Sequence, residues 1–361
     1  MAKQIVKLIC SSAVAVCLLC MSIQSAIADV LNIKSDAPQT YVVQKGDTLW
    51  DISNLFLDKP WLWPELWRNN TQIENPHLIY PGDVLKLRYE NGQPVLEVVR
   101  EKSNLILTPD VKINSKPVPI DILPWSRLAP FIKDGQLMDI EEYHQLPNLL
   151  GDRADSPLFA SKDFVLTRDI DASQSDYKVV RKLREVKDSA GQSLGLQVES
   201  ISEASLVADA QNGRHLVKLE GSYSEARKGD KLAPDYKKKF KDLVITPAKE
   251  HQRGELVENV TGRTLIGKQD IVIINLGGRK VSPGTVFGIY EKGADIKFKE
   301  EQTYSLERAS LYSLFSMSET IEQPAYKVGE LIVFNTFEHG SYAYVTKVET
   351  HLKGGEIIAA P

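Results

Sequence analysis

Four of the chain's five tryptophans, Trp50, Trp61, Trp63 and Trp67, fall between residues 40 and 87. Side chains of that size have to be buried together, so this short stretch must fold as a small domain with an interior of its own. The residues around them set its element order. Thr40-Tyr41-Val42-Val43 reads as a strand and Lys45-Gly46-Asp47 as a turn. Leu49, Ile52, Ser53 and Phe56 recur on one face of a helix. Asp47 or Thr48 can cap that helix, because their side-chain oxygens accept free N–H groups of the first turn, and Thr48-x-x-Asp51 fits a loose capping box. Pro60 separates a second helix over residues 61–69, in which Leu62/Leu66 and Trp63/Trp67 are i,i+4 pairs; Pro64 is tolerable only in its first turn. Tyr80-Pro81-Gly82-Asp83 is a turn, and Val84-Leu85-Lys86-Leu87 alternates as a closing strand. The spacing predicts β-α-α-β, with a two-stranded sheet backed by two helices.

The segment resembles the LysM family. The resemblance rests on Tyr41-Val42-Val43-Gln44-Lys45-Gly46-Asp47-Thr48-Leu49-Trp50-Asp51-Ile52-Ser53, then Leu66-Trp67-x-x-Asn70, then Asn75-Pro76, and finally Ile79-Tyr80-Pro81-Gly82-Asp83-Val84-Leu85. It covers about 48 of 361 residues. Opening and closing signatures agree in order and spacing. Residues 57–67 depart from it, being longer and richer in tryptophan than in short LysM modules, so the resemblance does not define the shape of one rim of the groove. The resemblance implies a βααβ fold that binds N-acetylglucosamine-containing glycans such as peptidoglycan. The implied groove lies between the loop Gly46-Asp47-Thr48-Leu49 and the loop Ile79-Tyr80-Pro81-Gly82. The chemistry suits such loops: an acetamido group offers an N–H, a C=O and a methyl. Main-chain groups freed at a glycine turn and at a helix start can pair with the amide. Leu49, Ile79 and the Tyr80 ring are expected to take the methyl and the apolar sugar face. Trp61, at a helix start behind Pro60, is expected to be partly exposed and to stack. Trp50, Trp63 and Trp67 read as core. Such sites are shallow, so a single module binds weakly.

Beyond residue 88 the texture changes. Short runs rich in Val, Ile, Leu, Tyr and Phe recur at 95–99, 105–107, 163–166, 194–198, 215–219, 270–275, 286–290, 331–334 and 342–348, with Gly, Pro and Asn between them. Helical patches fit 123–128 and 140–150, and 293–318 reads as a long loop or a short helix. The expected fold class is an α+β LysM module followed by a mainly-β region of one or two small sandwich- or barrel-like domains. The expected division is a signal peptide over 1–28, a linker over 29–39, the LysM module over 40–88, a β-rich region with some helix over 89–260, and a C-terminal β-rich domain over 261–361. Gly229-Asp230-Lys231-Leu232, Pro283-Gly284-Thr285-Val286, Val328-Gly329-Glu330-Leu331 and Gly354-Gly355-Glu356-Ile357 each put glycine before a polar residue where a strand is expected to begin. That theme is either ordinary hairpin chemistry or the trace of duplicated β modules.

The chain opens with Lys3 and Lys7, an apolar stretch over 8–21, and Ser25-Ala26-Ile27-Ala28, the signature of a secretory leader cleaved before Asp29. An uncleaved anchor and a lipidated Cys20 are the alternatives; Leu19 is bulkier than a lipidation site wants before its cysteine. All three cysteines, Cys10, Cys17 and Cys20, lie in that leader. The expected location is therefore the periplasm, in contact with the cell wall. Without the leader's two lysines, 42 basic residues face 48 acidic ones, a balance that disfavours nucleic acid as a partner. No further apolar run is long enough to span a membrane.

A chain cleaved at that site has no thiolate for cysteine chemistry. His77, His144, His215, His251, His339 and His351 form no metal-ligand spacing. No G-x-S-x-G or S-x-x-K set stands out, Glu141-Glu142 and Glu300-Glu301 are adjacent pairs that diverge, and the lysines at 237–239 and 241 read as an exposed face. No catalytic residue, metal ligand or cofactor is assigned. The favoured reading is a non-catalytic glycan binder whose C-terminal region is a scaffold or binds an envelope protein. A cell-wall hydrolase with an unrecognised carboxylate pair, and a protein-interaction module with a blocked groove, remain open.

Overall fold

The computed structural model describes residues 31–68, 79–99, 122–133, 135–171, 173–210, 214–221, 223–235, 243–293, 296–298, 319–321 and 323–361. The leader, the strand expected at 105–107, His77, the lysine run and Glu300-Glu301 lie outside these residues. Contacts divide the chain into two units, with the boundary between Leu123 and Pro124.

The first unit contains β1 (Thr40–Val42), α1 (Leu49–Phe56), a 3-10 turn (Pro60–Leu62), α2 (Trp63–Leu66), β2 (Val84–Glu90) and β3 (Gln93–Val99). Thr48, not Asp47, caps α1. Its hydroxyl oxygen accepts the Asp51 N–H at 3.1 Å and donates to the Asp51 carboxylate at 2.6 Å. The helix buries Leu49, Trp50, Ile52, Ser53 and Phe56, and Leu57 ends it in extended backbone. The expected second helix is broken, because prolines at 60 and 64 remove two amide donors; a 3-10 turn and a single α turn take its place. β1 runs antiparallel to β2, with Tyr41 opposite Leu85. A third strand extends the expected two-stranded sheet: β3 pairs with β2 along its whole length. Asn91 and Gly92, at φ +52° and +79°, form the tight turn between them. The stretch read as a linker is also engaged. Ile33 bridges to Leu57, and the Lys34 N–H donates to the Phe56 carbonyl at 2.9 Å.

The second unit opens with α3 (Trp125–Lys133), β4 (Gly135–Met138) and α4 (Ile140–Gln145). A first set of strands comes next: β5 (Leu149–Gly151), β6 (Leu158–Phe159), β7 (Phe164–Arg168), β8 (Asp176–Lys187), β9 (Ser193–Ala210), β10 (Arg214–Glu220), β11 (Ala226–Arg227) and β12 (Lys231–Pro234). The second set is β13 (Thr246–Pro247), β14 (Gly254–Asn259), β15 (Ile271–Ile274), β16 (Thr285–Lys292), β17 (Ile296–Phe298), β18 (Glu319–Ile321), β19 (Ala325–Thr336), β20 (Ser341–Val348) and β21 (Glu356–Ala359). Six of the second set close into a barrel in the order β16-β19-β20-β15-β14-β21, with β21 pairing back onto β16. The second barrel thus begins at β14, ahead of the boundary expected at 260. In the first set the order is β12-β8-β9-β10-β7-β5. That ring is completed by the Asn148–Lys231 bridge, flanked by the Leu149 N–H to the Asp230 carbonyl and the Leu232 N–H to the Pro147 carbonyl. β17 pairs with β18, so residues 296–298 of the stretch 293–318 are strand; residues 294–295 and 299–318 lie outside the described residues. Among the described residues no helix is long and apolar enough to cross a membrane.

The two rings are wound alike. Numbering the six strands of each ring by chain order, both run third-fourth-fifth-second-first-sixth, with antiparallel neighbours throughout. Their loops agree in detail. Before β7, Asp163 accepts the Ala160 N–H at 2.7 Å, and Lys162, at φ +79°, donates its N–H to Leu219. Before β15, Asp270 accepts the Gly267 N–H at 2.9 Å, and Gln269, at φ +73°, donates its N–H to Val345. The β6–β11 pair of one ring corresponds to the Ile266–Leu352 bridge of the other. Gly229 before β12 and Gly355 before β21 also correspond, donating to Leu149 and Leu256. The glycine theme is therefore a duplication for the 229–232 and 354–357 segments. Gly329 has a different role, lying inside β19 rather than at its start. Each ring packs its own interior, around Val165, Val217, Leu219 and Leu232 in one and Val272, Ala343, Val345 and Ile358 in the other.

Candidate functional site

The two loops singled out in the sequence meet in the first unit. Because β1 and β2 pair in register up to Val42–Val84, the chain leaving β1 and the chain entering β2 are held side by side. Val43 joins them: its N–H donates to the Asp83 carbonyl at 2.9 Å, and its carbonyl accepts the Gly82 N–H at 2.8 Å. Each loop is braced by an aspartate. Asp47 accepts the Gln44 N–H and the Tyr41 hydroxyl, both at 2.8 Å. Asp83 accepts the Tyr80 N–H at 3.1 Å, closing the Tyr80-Pro81-Gly82-Asp83 turn. Burial, then the hydrogen bond to Asp47 and the Asp47 and Asp51 charges, push the Tyr41 phenol up to about 12. Tyr41 therefore stays a neutral donor at any physiological pH.

Gly46 and Gly82 sit at φ +100° and +97°, and a Cβ on either would meet no atom within 4 Å. Glycine is needed there for backbone conformation alone, and the space over both is open. Among the described residues the N–H groups of Gly46, Thr48 and Leu49 make no hydrogen bond, so the turn and the first turn of α1 present donors.

The side chains divide differently from expectation. Gly46 and Gly82 are exposed, while Asp47, Tyr80 and Pro81 are half-buried. Thr48, Leu49, Ile79 and Trp61 are buried at 4%, 3%, 0% and 5% exposure. Leu49 and Ile79 lie in the interior beneath the loops and cannot offer a sugar much surface. Trp61 is corrected outright. Pro60 starts a 3-10 turn whose three residues are all buried, so its ring is core and not a stacking platform. The Thr48 hydroxyl is consumed by the helix cap. The accessible wall is thus main chain at Gly46 and Gly82 with the Asp47, Tyr80 and Pro81 side chains.

A cleft of 310 Å³ opens at the seam of the barrels, lined among others by Asp188, Leu194, Arg253, Asn275, Arg279 and His339. Asp188 is held by the Ala190 and Gln192 amides, and Arg279 by Glu338 at 2.8 Å. Nearby, Asp139 caps α4, accepting the Glu141 and Glu142 N–H groups. Burial, then the Asp139 and Glu338 carboxylates, raises the Glu142 carboxyl above its usual range. Among the described residues no group of three or more His, Cys, Asp or Glu is placed to hold a metal ion.

Residues 41–88 match the LysM domain model. Over an alignment of 61 positions that covers 14% of this chain, it is 39% identical to Uncharacterized protein YqbP of Bacillus subtilis (strain 168). The match spans 28% of that relative's length. The shared stretch, the element order and the joined loops agree: residues 41–88 form a LysM domain, a glycan-binding module rather than a catalytic one.

Proposed function

We propose that the protein is exported, is cleaved before Asp29, and holds peptidoglycan in the periplasm through the LysM groove without cutting it. The two barrels serve as a scaffold or partner-binding region. One observation carries the glycan reading: Val43 ties the two loops together beneath open glycines and unbonded amides. An acetamido group fits such a wall, its carbonyl accepting from the main chain and the Tyr80 ring covering the sugar's apolar face. The basic, apolar, small-residue order of residues 1–28 supports export.

Pull-down of the protein on purified sacculi tests the groove. Tyr80→Ala, which removes the accessible ring and leaves the Thr48 cap of α1 in place, is expected to weaken the binding clearly while tryptophan fluorescence reports an intact module. Undiminished binding in that variant moves the site elsewhere and leaves the module a protein-interaction unit. Clearing of sacculi in a gel assay overturns the non-catalytic reading. The mass of the protein recovered from the envelope checks the cleavage; a chain beginning at Asp29 is expected.

A further inference from the structure

The duplication allows one barrel to be compared with the other face by face. On the second and fifth strands of the second barrel, the outward side chains are Ile271, Ile273, Tyr342 and Tyr344. All four are buried, at 8%, 0%, 0% and 6% exposure. The preceding module covers them. A Cβ on Gly135 of β4 would lie 3.3 Å from the Tyr342 ring, and one on Gly340 would lie 2.9 Å from Leu137 and 3.7 Å from Leu194. Arg127 of α3 donates to Gln269. At the end of this face the Asp188 carboxylate accepts from Asn275 at 3.4 Å.

Among the described residues the equivalent face of the first barrel is largely exposed, with Leu216 and Lys218 half-buried. The β7–β10 register places Phe164 opposite Lys218, Leu166 opposite Leu216, and Arg168 opposite Arg214. Phe164 and Leu166 are 49% and 39% exposed, and Leu150 on the adjoining β5 is 44% exposed. The hollow of 420 Å³ beside Phe164 is otherwise lined by Asp152, Arg153, Ala154 and Asp163, a mostly charged rim at the opposite end of β7 from Arg168. Arg168 and Arg214 take the positions of Asn275 and Gly340, the end to which the second barrel receives Asp188. Both are exposed, and among the described residues neither forms an ion pair. Like charges directly opposite on a sheet are destabilising, and large apolar side chains left contiguous mark an interaction surface.

We propose that this face of the first barrel, Phe164, Leu166 and Leu216 ending in Arg168 and Arg214, docks a polypeptide segment of another protein that carries apolar side chains next to a carboxylate. The proposal rests on the partner-binding reading of the barrel region and assigns that reading a surface. The second barrel supplies the argument for the occupant. There the same face takes apolar Leu137 and Leu194 together with the Asp188 carboxylate. In the open copy, two guanidinium groups stand where the acid arrives. A second copy of the chain is the poorer fit, because its own segment of this kind is already spent covering its second barrel.

A displayed library of random peptides, selected on the purified protein, tests this. Enriched peptides are expected to pair large apolar residues with Asp or Glu. Their affinity should fall about tenfold or more in R168E/R214E and in Phe164→Ser, and hold in Lys249→Glu, an exposed cation ahead of β14. Circular dichroism and melting confirm that the variants fold. No enrichment, or enrichment without acidic residues, overturns the proposal. Enriched peptides that bind R168E/R214E equally well overturn this face while leaving the barrel region a partner-binding one. A dimer in sedimentation that R168E/R214E dissociates assigns the face to a second copy and overturns it too.

Discussion

The two barrels share a winding, a loop chemistry and an interior, yet differ in what lies outside the ring. In the second, the outward face of β15 and β20 is as dry as the inside: Ile273 and Val272, on opposite faces of one strand, are both fully buried. In the first, Val165 is fully buried while its neighbour Leu166 is 39% exposed. A closed barrel therefore needs only its inner face to be apolar. The outer face records what each copy touches, and one copy's neighbour is built into the chain.

The sharpest way to break this comparison is to truncate the outward pair. Ile273→Ala should cost about 3–4 kcal/mol, since the site is enclosed and cannot collapse fully, whereas Leu166→Ala should cost about 1 kcal/mol or less. Urea unfolding of both variants reads the difference directly, and equal costs would mean the outer faces are not distinguished by cover. The inward pair should behave oppositely. Val165→Ala and Val272→Ala are expected to cost a similar amount, about 2 kcal/mol each, and a gap larger than the loss itself would undo the equivalence of the two interiors. A smaller effect tests the loops. Asp163→Ala and Asp270→Ala each strip an acceptor from one amide and should lower stability by about 1 kcal/mol, with a few tenths more at Asp270, whose carboxylate also pairs with the exposed Arg263 at 3.2 Å. The smallest concerns a feature of the covered face alone. The Tyr342 hydroxyl is buried with no hydrogen-bond partner among the described residues, and burial raises its pKa. Tyr342→Phe should leave the melting temperature unchanged or slightly raised, because the variant sheds a desolvated group and keeps the ring's packing. A clear loss of stability would reveal a partner for that hydroxyl.

The N-terminal module is far more legible in the sequence than the barrels are. Its fold is written in local chemistry: a capping threonine with Asp51 three residues on, prolines that break the second helix, and glycines at positive φ in both loops. What local chemistry leaves out there is reach. The Asn91-Gly92 turn is a hairpin signal, yet nothing local says which sheet a strand joins, so β3 reads as part of the region beyond the module. Trp61 departs from expectation for a related reason. Its exposure depends on residues distant in sequence, and a proline-led helix start is equally compatible with either side.

In the barrels, most short apolar runs are strands. β8, twelve residues long, escapes the pattern. Its Lys182, Leu183, Arg184 and Glu185 interrupt the alternation, and charged residues facing outward look like a solvated loop. The duplication surfaces in the sequence only as repeated glycines, two of whose four segments correspond.

By itself the amino-acid order determined the LysM module, the two loops that meet in it and the β character of the chain beyond residue 88, because caps, turns and alternation act between residues near in sequence. Only the tertiary structure decided that the strands close into two rings wound alike, that Leu49, Ile79 and Trp61 are interior, and that one barrel's outer face is covered while its counterpart is open. Those outcomes depend on which distant strands pair and which surfaces they bury, and burial at long range leaves no mark on local spacing.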